Sequence, residues 1–354
     1  MTGSTPLPGL LSSDFWGVPL SHGGSHKSYR PLTSLSFHLD WLLAPGSAAQ
    51  FHLTNVLLHA LATHLFHRLL LTALPAPALT AALLFAAHPV HTEAVAGIVG
   101  RAELLSAVFF LLSLLAQRSR GWGLLCALLA AAATLAKEQG VTVLGVSAVL
   151  ELLAGRSRKN LLQIALSLVA ILSLRAAALG GSLPSFSKAD NPASHSSSLL
   201  TRSLTFLHLP ARNCWLLLCP SSLSFDWSMD SIPLITSFSD TRNILSLLPY
   251  TLVTGLLLPL LPSLLPAFSL TKRTSSPSNS SSNTSPLPPA STTIFALALT
   301  ILPFLPATNL FFYVGFVMAE RLLYLPSMGF CLLAALGLHK LSTFQPNLTR
   351  ISFT

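Results

Sequence analysis

Residues 102–136 read AELLSAVFFLLSLLAQRSRGWGLLCALLAAAATLA. Two apolar runs, 102–117 and 121–136, flank a short turn carrying Arg118 and Arg120. A run of about 16 residues rises ~24 Å as a helix, most of the hydrocarbon thickness of a bilayer. The alanines of 127–136 allow close helix packing in lipid, and the period-two alternation of a β-barrel is absent. The stretch therefore predicts an all-α integral membrane protein.

Working outward, apolar runs bounded by charge, Pro or Gly recur at 51–71, 77–93, 139–154, 160–180, 243–270, 293–309 and 322–339, a multi-pass helical bundle of about nine membrane spans. Short runs rely on polar flanks or local thinning of the bilayer. Composition agrees: of 354 residues, 51% are hydrophobic and 9% charged, with a mean hydropathy of +0.65. A soluble domain carries about 25% charged residues. The excess of 20 Lys and Arg over 11 Asp and Glu is spread thinly, its densest run being Arg156 to Lys159. It reads as membrane topology rather than a nucleic-acid surface. Cys126, Cys214, Cys219 and Cys331 lack metal-site spacing.

The connections after spans one, three, five, seven and nine hold nine basic residues: Arg68, Arg118, Arg120, Arg156, Arg158, Lys159, Lys272, Arg273 and Lys340. Ten of the 11 acids lie toward the other side, Glu151 excepted. The positive-inside rule makes the basic face cytosolic. The expected organisation is a lumenal 1–50 with interfacial segments, a first bundle at 51–180, a long lumenal loop at 181–242, a second bundle at 243–340 and a cytosolic tail at 341–354. A Ser/Pro/Asn-rich linker, 271–292, interrupts the second bundle on the cytosolic side. Sequons at Asn279, Asn283 and Asn347 are then expected to be unmodified. Residues 1–50 contain no run long enough for a signal peptide or a span, so either the first helix targets the chain or the natural N-terminus is missing.

Polar residues cluster on the acidic side. His88-Pro89-Val90-His91-Thr92-Glu93 precedes Gly100-Arg101-Ala102-Glu103 at the start of the next span. Ionisable groups at a membrane boundary are costly unless they line a polar cavity. Three readings stay open: Glu93, Arg101 and Glu103 pair with one another; His88, His91 and Glu93 hold zinc, against which stands a spacing unlike helical HExxH; or the segment lines a pocket for a polar or phosphorylated ligand. Arg30, in Lys27-Ser28-Tyr29-Arg30-Pro31, is an interfacial anchor or a phosphate fork. Arg321, in Glu320-Arg321-Leu322-Leu323-Tyr324-Leu325-Pro326, is neutralised by Glu320 or joins Arg30 in an anion clamp. Lys137-Glu138, between two spans, reads as a buried pair. A transporter would carry its polar residues at mid-membrane, whereas these lie at one boundary.

The strings SHKSYRPLTSLSF, NVLLHALATHLF, HPVHTEAVAGIVGRAELLSAVFF, LAKEQGVTVLGV, DNPASHSSSLLTRSLTFLHLP, WLLLCPSSLSFDWSMDSIPLI and FLPATNLFFYVGFVMAERLLYLPSMGFCLL closely resemble the transmembrane and tetratricopeptide repeat-containing proteins, in the same order. The resemblance runs from about residue 12 to 340, the linker excepted. It implies a GT-C class O-mannosyltransferase of the endoplasmic reticulum membrane. Such an enzyme uses dolichyl-phosphate mannose, a lipid-linked sugar donor, and modifies Ser/Thr of lumenal cadherin-type acceptor proteins.

Within the wider class, Arg30-Pro31-Leu32 is similar to a basic-Pro-Pro-like motif, Glu103 to an acid that opens a later helix, and Arg321 to Pro326 to an Arg-Tyr-Leu-Leu-Pro-like motif. The resemblance accordingly assigns donor phosphate binding to Arg30, Arg321 and, less directly, Arg101. Glu93 and Glu103 are the candidate carboxylates, orienting the acceptor or holding a divalent cation if one is used, and His88, His91 and Tyr324 line the pocket. Two departures accompany it. The family's first helix and acidic pair have no counterpart here, which places the expected catalytic carboxylate upstream, and no 34-residue repeat is detectable. A non-enzymatic membrane scaffold or assembly factor is the alternative.

Overall fold

The computed structural model describes residues 6–155, 158–181, 186–225, 227–260, 262 and 287–344. Among them the architecture is helical, with two isolated bridges and no strand. The principal helices are α1 Pro31–Leu43, α2 Ala48–Ala73, α3 Pro75–Ala87, α4 Arg101–Arg120, α5 Leu124–Ala136, α6 Val143–Leu153, α7 Arg158–Ala178, α8 Leu199–Leu218, α9 Arg242–Leu257, α10 Pro289–Ile301 and α11 Tyr324–Phe344.

Local chemistry sets the starts. Pro31, Pro75 and Pro289 occupy first-turn positions, where a missing N–H costs nothing. Ser47 and Ser198 cap α2 and α8 by accepting from the N–H of Gln50 and Thr201, both at 3.3 Å. Gly121, at φ +77°, ends α4 in a conformation that side chains resist.

Each apolar run read from the sequence contains helix. Among the described residues, six helical stretches are long and apolar enough to cross a membrane: Ala48–Ala73, Ile98–Arg120, Arg158–Ala178, Arg242–Leu260, Pro289–Ala307 and Glu320–Thr343. Pro75–Ala87 and Leu124–Ala136 are shorter apolar helices. In the run expected at 77–93 the α-helix ends at Ala87, and a 3-10 turn at Pro89–His91 and a five-residue α-helix at Thr92–Ala96 follow. Two helices lie where the sequence suggested loops. Pro31–Leu43 is interrupted by polar residues, and α8 carries Arg202, His208, Arg212 and an internal Pro210. The linker core, the three sequons, Arg156, Lys272 and Arg273 lie outside the described residues.

Packing explains the small residues. Ser106 and Ser113 of α4 donate to the carbonyls of Ala133 and Cys126 on α5, each at 3.0 Å. Such interhelical bonds in lipid contribute about 0.6 kcal/mol apiece. At Gly329, α11 crosses α10 so closely that a Cβ would strike Ala296 and Thr300. The main core joins α2, α3, α4, α5, α10 and α11 through Phe66, Phe85, Phe110, Ala130, Phe295 and Tyr324. By contrast, α7 and α9 expose most of their apolar surface, as lipid-facing helices do.

Candidate active site

Charged side chains from six parts of the chain meet at one end of the bundle. Arg30, at the N-terminus of α1, reaches Glu138 in the turn between α5 and α6, with Nε to Oε2 at 3.0 Å and Nη2 to Oε2 at 2.9 Å. Arg175, near the end of α7, donates Nη2 to Glu138 Oε1 at 2.7 Å and Nη1 to the carbonyl of Tyr29 at 3.0 Å. Phe15 lies under the Arg30 guanidinium at 5.1 Å. Burial pushes the Glu138 carboxyl upward, but Arg30 and Arg175 outweigh it and hold it at about 2.

Beside this bridge, Lys137 pairs with Glu103. Arg321 pairs with Glu93 and places its Nε 3.8 Å from Glu103 Oε1, while its own backbone N–H donates to Glu93 Oε2 at 2.7 Å. Glu103 is buried, and its Oε2 has no hydrogen-bond partner among the described residues. Burial raises the Glu93 carboxyl against the opposing pull of Arg321. Lys137 and Glu138 thus face different partners, correcting their reading as a pair.

Arg101 is placed elsewhere. It is fully buried and pairs with Asp40, its Nε donates to Asn55 Oδ1 at 2.9 Å and its Nη2 to the Phe51 carbonyl at 2.7 Å. Phe37 and Phe51 sandwich it at 4.5 and 5.4 Å. The pairing of Arg101 with Glu93 and Glu103 is therefore overturned. Glu320 does not neutralise Arg321 either. Its Oε1 accepts from the Ser224 N–H at 2.6 Å and Trp227 Nε1 at 3.1 Å, which ties the 220–232 segment to the start of α11.

The histidines form an aromatic wall. Tyr324 is buried, its hydroxyl 2.7 Å from His59 Nδ1 and its ring 4.7 Å from that of His91. His91 Nε2 meets Ser327 Oγ at 2.8 Å, and His88 Nε2 meets the Leu217 carbonyl at 3.0 Å. Burial lowers both imidazoles, with that of His91 well below its ordinary value. The Nε2 atoms of the two rings meet separate partners, while His91 Nδ1 is buried without one, and among the described residues no three His, Cys, Asp or Glu side chains are grouped to hold a metal. The three side chains named for zinc, His88, His91 and Glu93, turn instead to the Leu217 carbonyl, Ser327 and Arg321.

Asn55 and His59, one turn apart on α2, were not singled out from sequence. A polar pair at a four-residue spacing in an apolar helix was the available signal. Asn55 also donates to the Gly97 carbonyl at 3.0 Å, fixing the loop that delivers Arg101. An open groove of about 620 Å³ flanks the charged cluster, lined by Leu11, Lys27, Tyr29, Ala177 and Gly180.

Residues 180–254 match the family described as Protein O-mannosyl-transferase TMTC, DUF1736. Protein O-mannosyl-transferase TMTC2 of Mus musculus is 43% identical over 401 residues, covering 94% of this chain and 48% of the relative. This chain belongs to the TMTC family. TMTC3 of Mus musculus is 42% identical, covering 96% of this chain and 38% of the relative. TMTC4 of Homo sapiens is 39% identical, covering 96% and 50%. The TMTC chain thus spans about half the length, or less, of these curated relatives. No solved structure matches it.

Proposed function

We propose that this TMTC chain is a protein O-mannosyltransferase of GT-C type. It moves mannose from dolichyl-phosphate mannose to Ser/Thr of cadherin-type domains on the lumenal side of the endoplasmic reticulum membrane. The observation that carries this reading is the convergence of Arg30 and Arg321 on one end of the bundle, beside Glu93, Glu103, Lys137 and Glu138, in a chain similar to relatives named protein O-mannosyl-transferases.

Transfer breaks the bond between the sugar's anomeric carbon and the phosphate oxygen, and forms one to a hydroxyl. Negative charge grows on the departing phosphate as the sugar gains oxocarbenium character. Preorganised guanidinium donors lower that barrier, and a carboxylate takes the hydroxyl proton. Arg321 is 35% exposed and reachable by a lipid phosphate. Arg30 stands nearby, oriented by Glu138. Glu93 holds Arg321 until phosphate arrives, Glu103 orients the acceptor hydroxyl with its unpartnered Oε2, and the groove beside Tyr29 receives the acceptor segment. His88, His91 and Tyr324 shape the wall behind Arg321. In this reading Arg101 is architectural, since Asp40, Asn55 and a backbone carbonyl engage its donors.

The test is transfer of labelled mannose from dolichyl-phosphate mannose to a cadherin domain, in microsomes carrying the chain. Transfer above that of microsomes without it makes Glu93 or Glu103 the proton acceptor and overturns the expectation of a carboxylate upstream. Donor binding without transfer favours the non-enzymatic scaffold.

A further inference from the structure

The segment 308–319 joins two stretches long and apolar enough to cross a membrane, Pro289–Ala307 and Glu320–Thr343. It therefore lies at a membrane face, whichever side that is. Leu310, Phe311, Phe312 and Tyr313 are 51, 72, 57 and 47% exposed, four large apolar side chains in succession.

Their base is rigid. Asn309 is buried in the left-handed region at φ +59°. Its Oδ1 accepts from Asn191 Nδ2 at 2.9 Å and from the Val314 N–H at 3.0 Å, and Asn191 Nδ2 also reaches the Val314 carbonyl at 3.0 Å. These bonds cinch the loop and hold a conformation that a side chain ordinarily resists. A Cβ at Gly315 would collide with the Phe186 ring, and the Tyr313 ring packs 5.7 Å from Phe206. The tip is displayed by construction.

We propose that Leu310 to Tyr313 form a membrane-insertion loop, whose side chains enter the headgroup and upper acyl region of the adjoining leaflet. Four contiguous apolar side chains facing water would make an aggregation-prone patch, whereas aromatic rings favour the bilayer interface. The non-helical backbone limits the depth, because unpaired amides are not tolerated in hydrocarbon. The occupant is lipid, since the spans on both flanks hold the tip at the bilayer boundary. The isolated bridge between Trp227 and Met318 and the bonds from Glu320 link the segment to the 220–232 region, so the loop sets the height of Arg321 relative to lipid phosphates. The surface goes beyond the transferase reading and does not depend on it.

The experiment uses the full chain with C214A and C219A, a nitroxide on Phe312→Cys or Leu310→Cys, and phosphatidylcholine vesicles. Collision with oxygen is expected to exceed collision with a water-soluble nickel chelate several-fold at both positions. The exposed Ser197→Cys is expected to show the reverse. Chelate access at positions 310 and 312 equal to that at 197 overturns the proposal. So does chelate access that is lost only when an acceptor protein is added, which assigns the tip to a protein partner.

Discussion

Arg30 and Glu138 lie 108 residues apart and meet through two contacts at 2.9 and 3.0 Å. The same carboxylate takes Arg175 at 2.7 Å, so one acid fixes two cations that otherwise repel each other. Glu138→Gln is expected to lower mannosyl transfer about tenfold by loosening Arg30. Its stability cost is about 1–3 kcal/mol, below that of a fully buried pair because the carboxylate is 35% exposed. Thermal unfolding in detergent, run alongside the transfer assay, separates the two effects.

The bridge also predicts a pH profile. The Glu138 carboxyl is held at about 2 against an ordinary 4.5. A depressed carboxyl contributes stability that is complete above the ordinary value and lost as pH falls through the depressed one. The Tm gap between the parent chain and Glu138→Gln is therefore expected to stay constant from about pH 5 to 8 and to close between about pH 4.5 and 2. A gap that closes near neutrality would contradict the assignment.

Arg101 and Arg321 are expected to fail differently. Arg101→Met leaves Asp40 buried and unpaired and should cost about 3–5 kcal/mol, measured as lost thermal stability. Adding Asp40→Leu removes the stranded charge and restores much of it. Arg321→Ala should keep the fold and lower transfer about 10²-fold or more, the scale for removing one donor to a developing anion.

Trp227→Phe removes the indole donor to Glu320, a buried acid that then keeps the Ser224 amide. The expected cost is about 1–2 kcal/mol. Limited proteolysis should show faster cutting within 220–232, because that strap is what the bond secures.

The helical membrane class was legible because lipid demands continuous apolar helix, a constraint written locally in runs such as 102–117. Of the nine runs read as spans, six are membrane-length helices among the described residues, and 77–93, 121–136 and 139–154 hold shorter ones. The charged cluster was legible as residues but not as partners. Which carboxylate meets Arg30, Arg101 or Arg321 depends on helix packing that brings positions 108, 61 and 228 residues apart together. Local adjacency misled at Glu320-Arg321 and Lys137-Glu138, where neighbours in sequence turn to different partners. Helix α8 escaped because Pro210 and two arginines interrupt an apolar face that includes Leu204, Phe206, Leu209 and Leu216. His59 escaped because it is one of four imidazoles on α2, and only in three dimensions does its ring meet the Tyr324 hydroxyl.

Donor binding tests the central claim most directly, since it needs the phosphate clamp and not the chemical step. Affinity of the detergent-solubilised chain for dolichyl-phosphate mannose should fall at least tenfold in Arg30→Ala and in Arg321→Ala. The stability-restored Arg101→Met/Asp40→Leu pair should bind as the parent does. Unchanged affinity in both Arg30→Ala and Arg321→Ala would contradict the account.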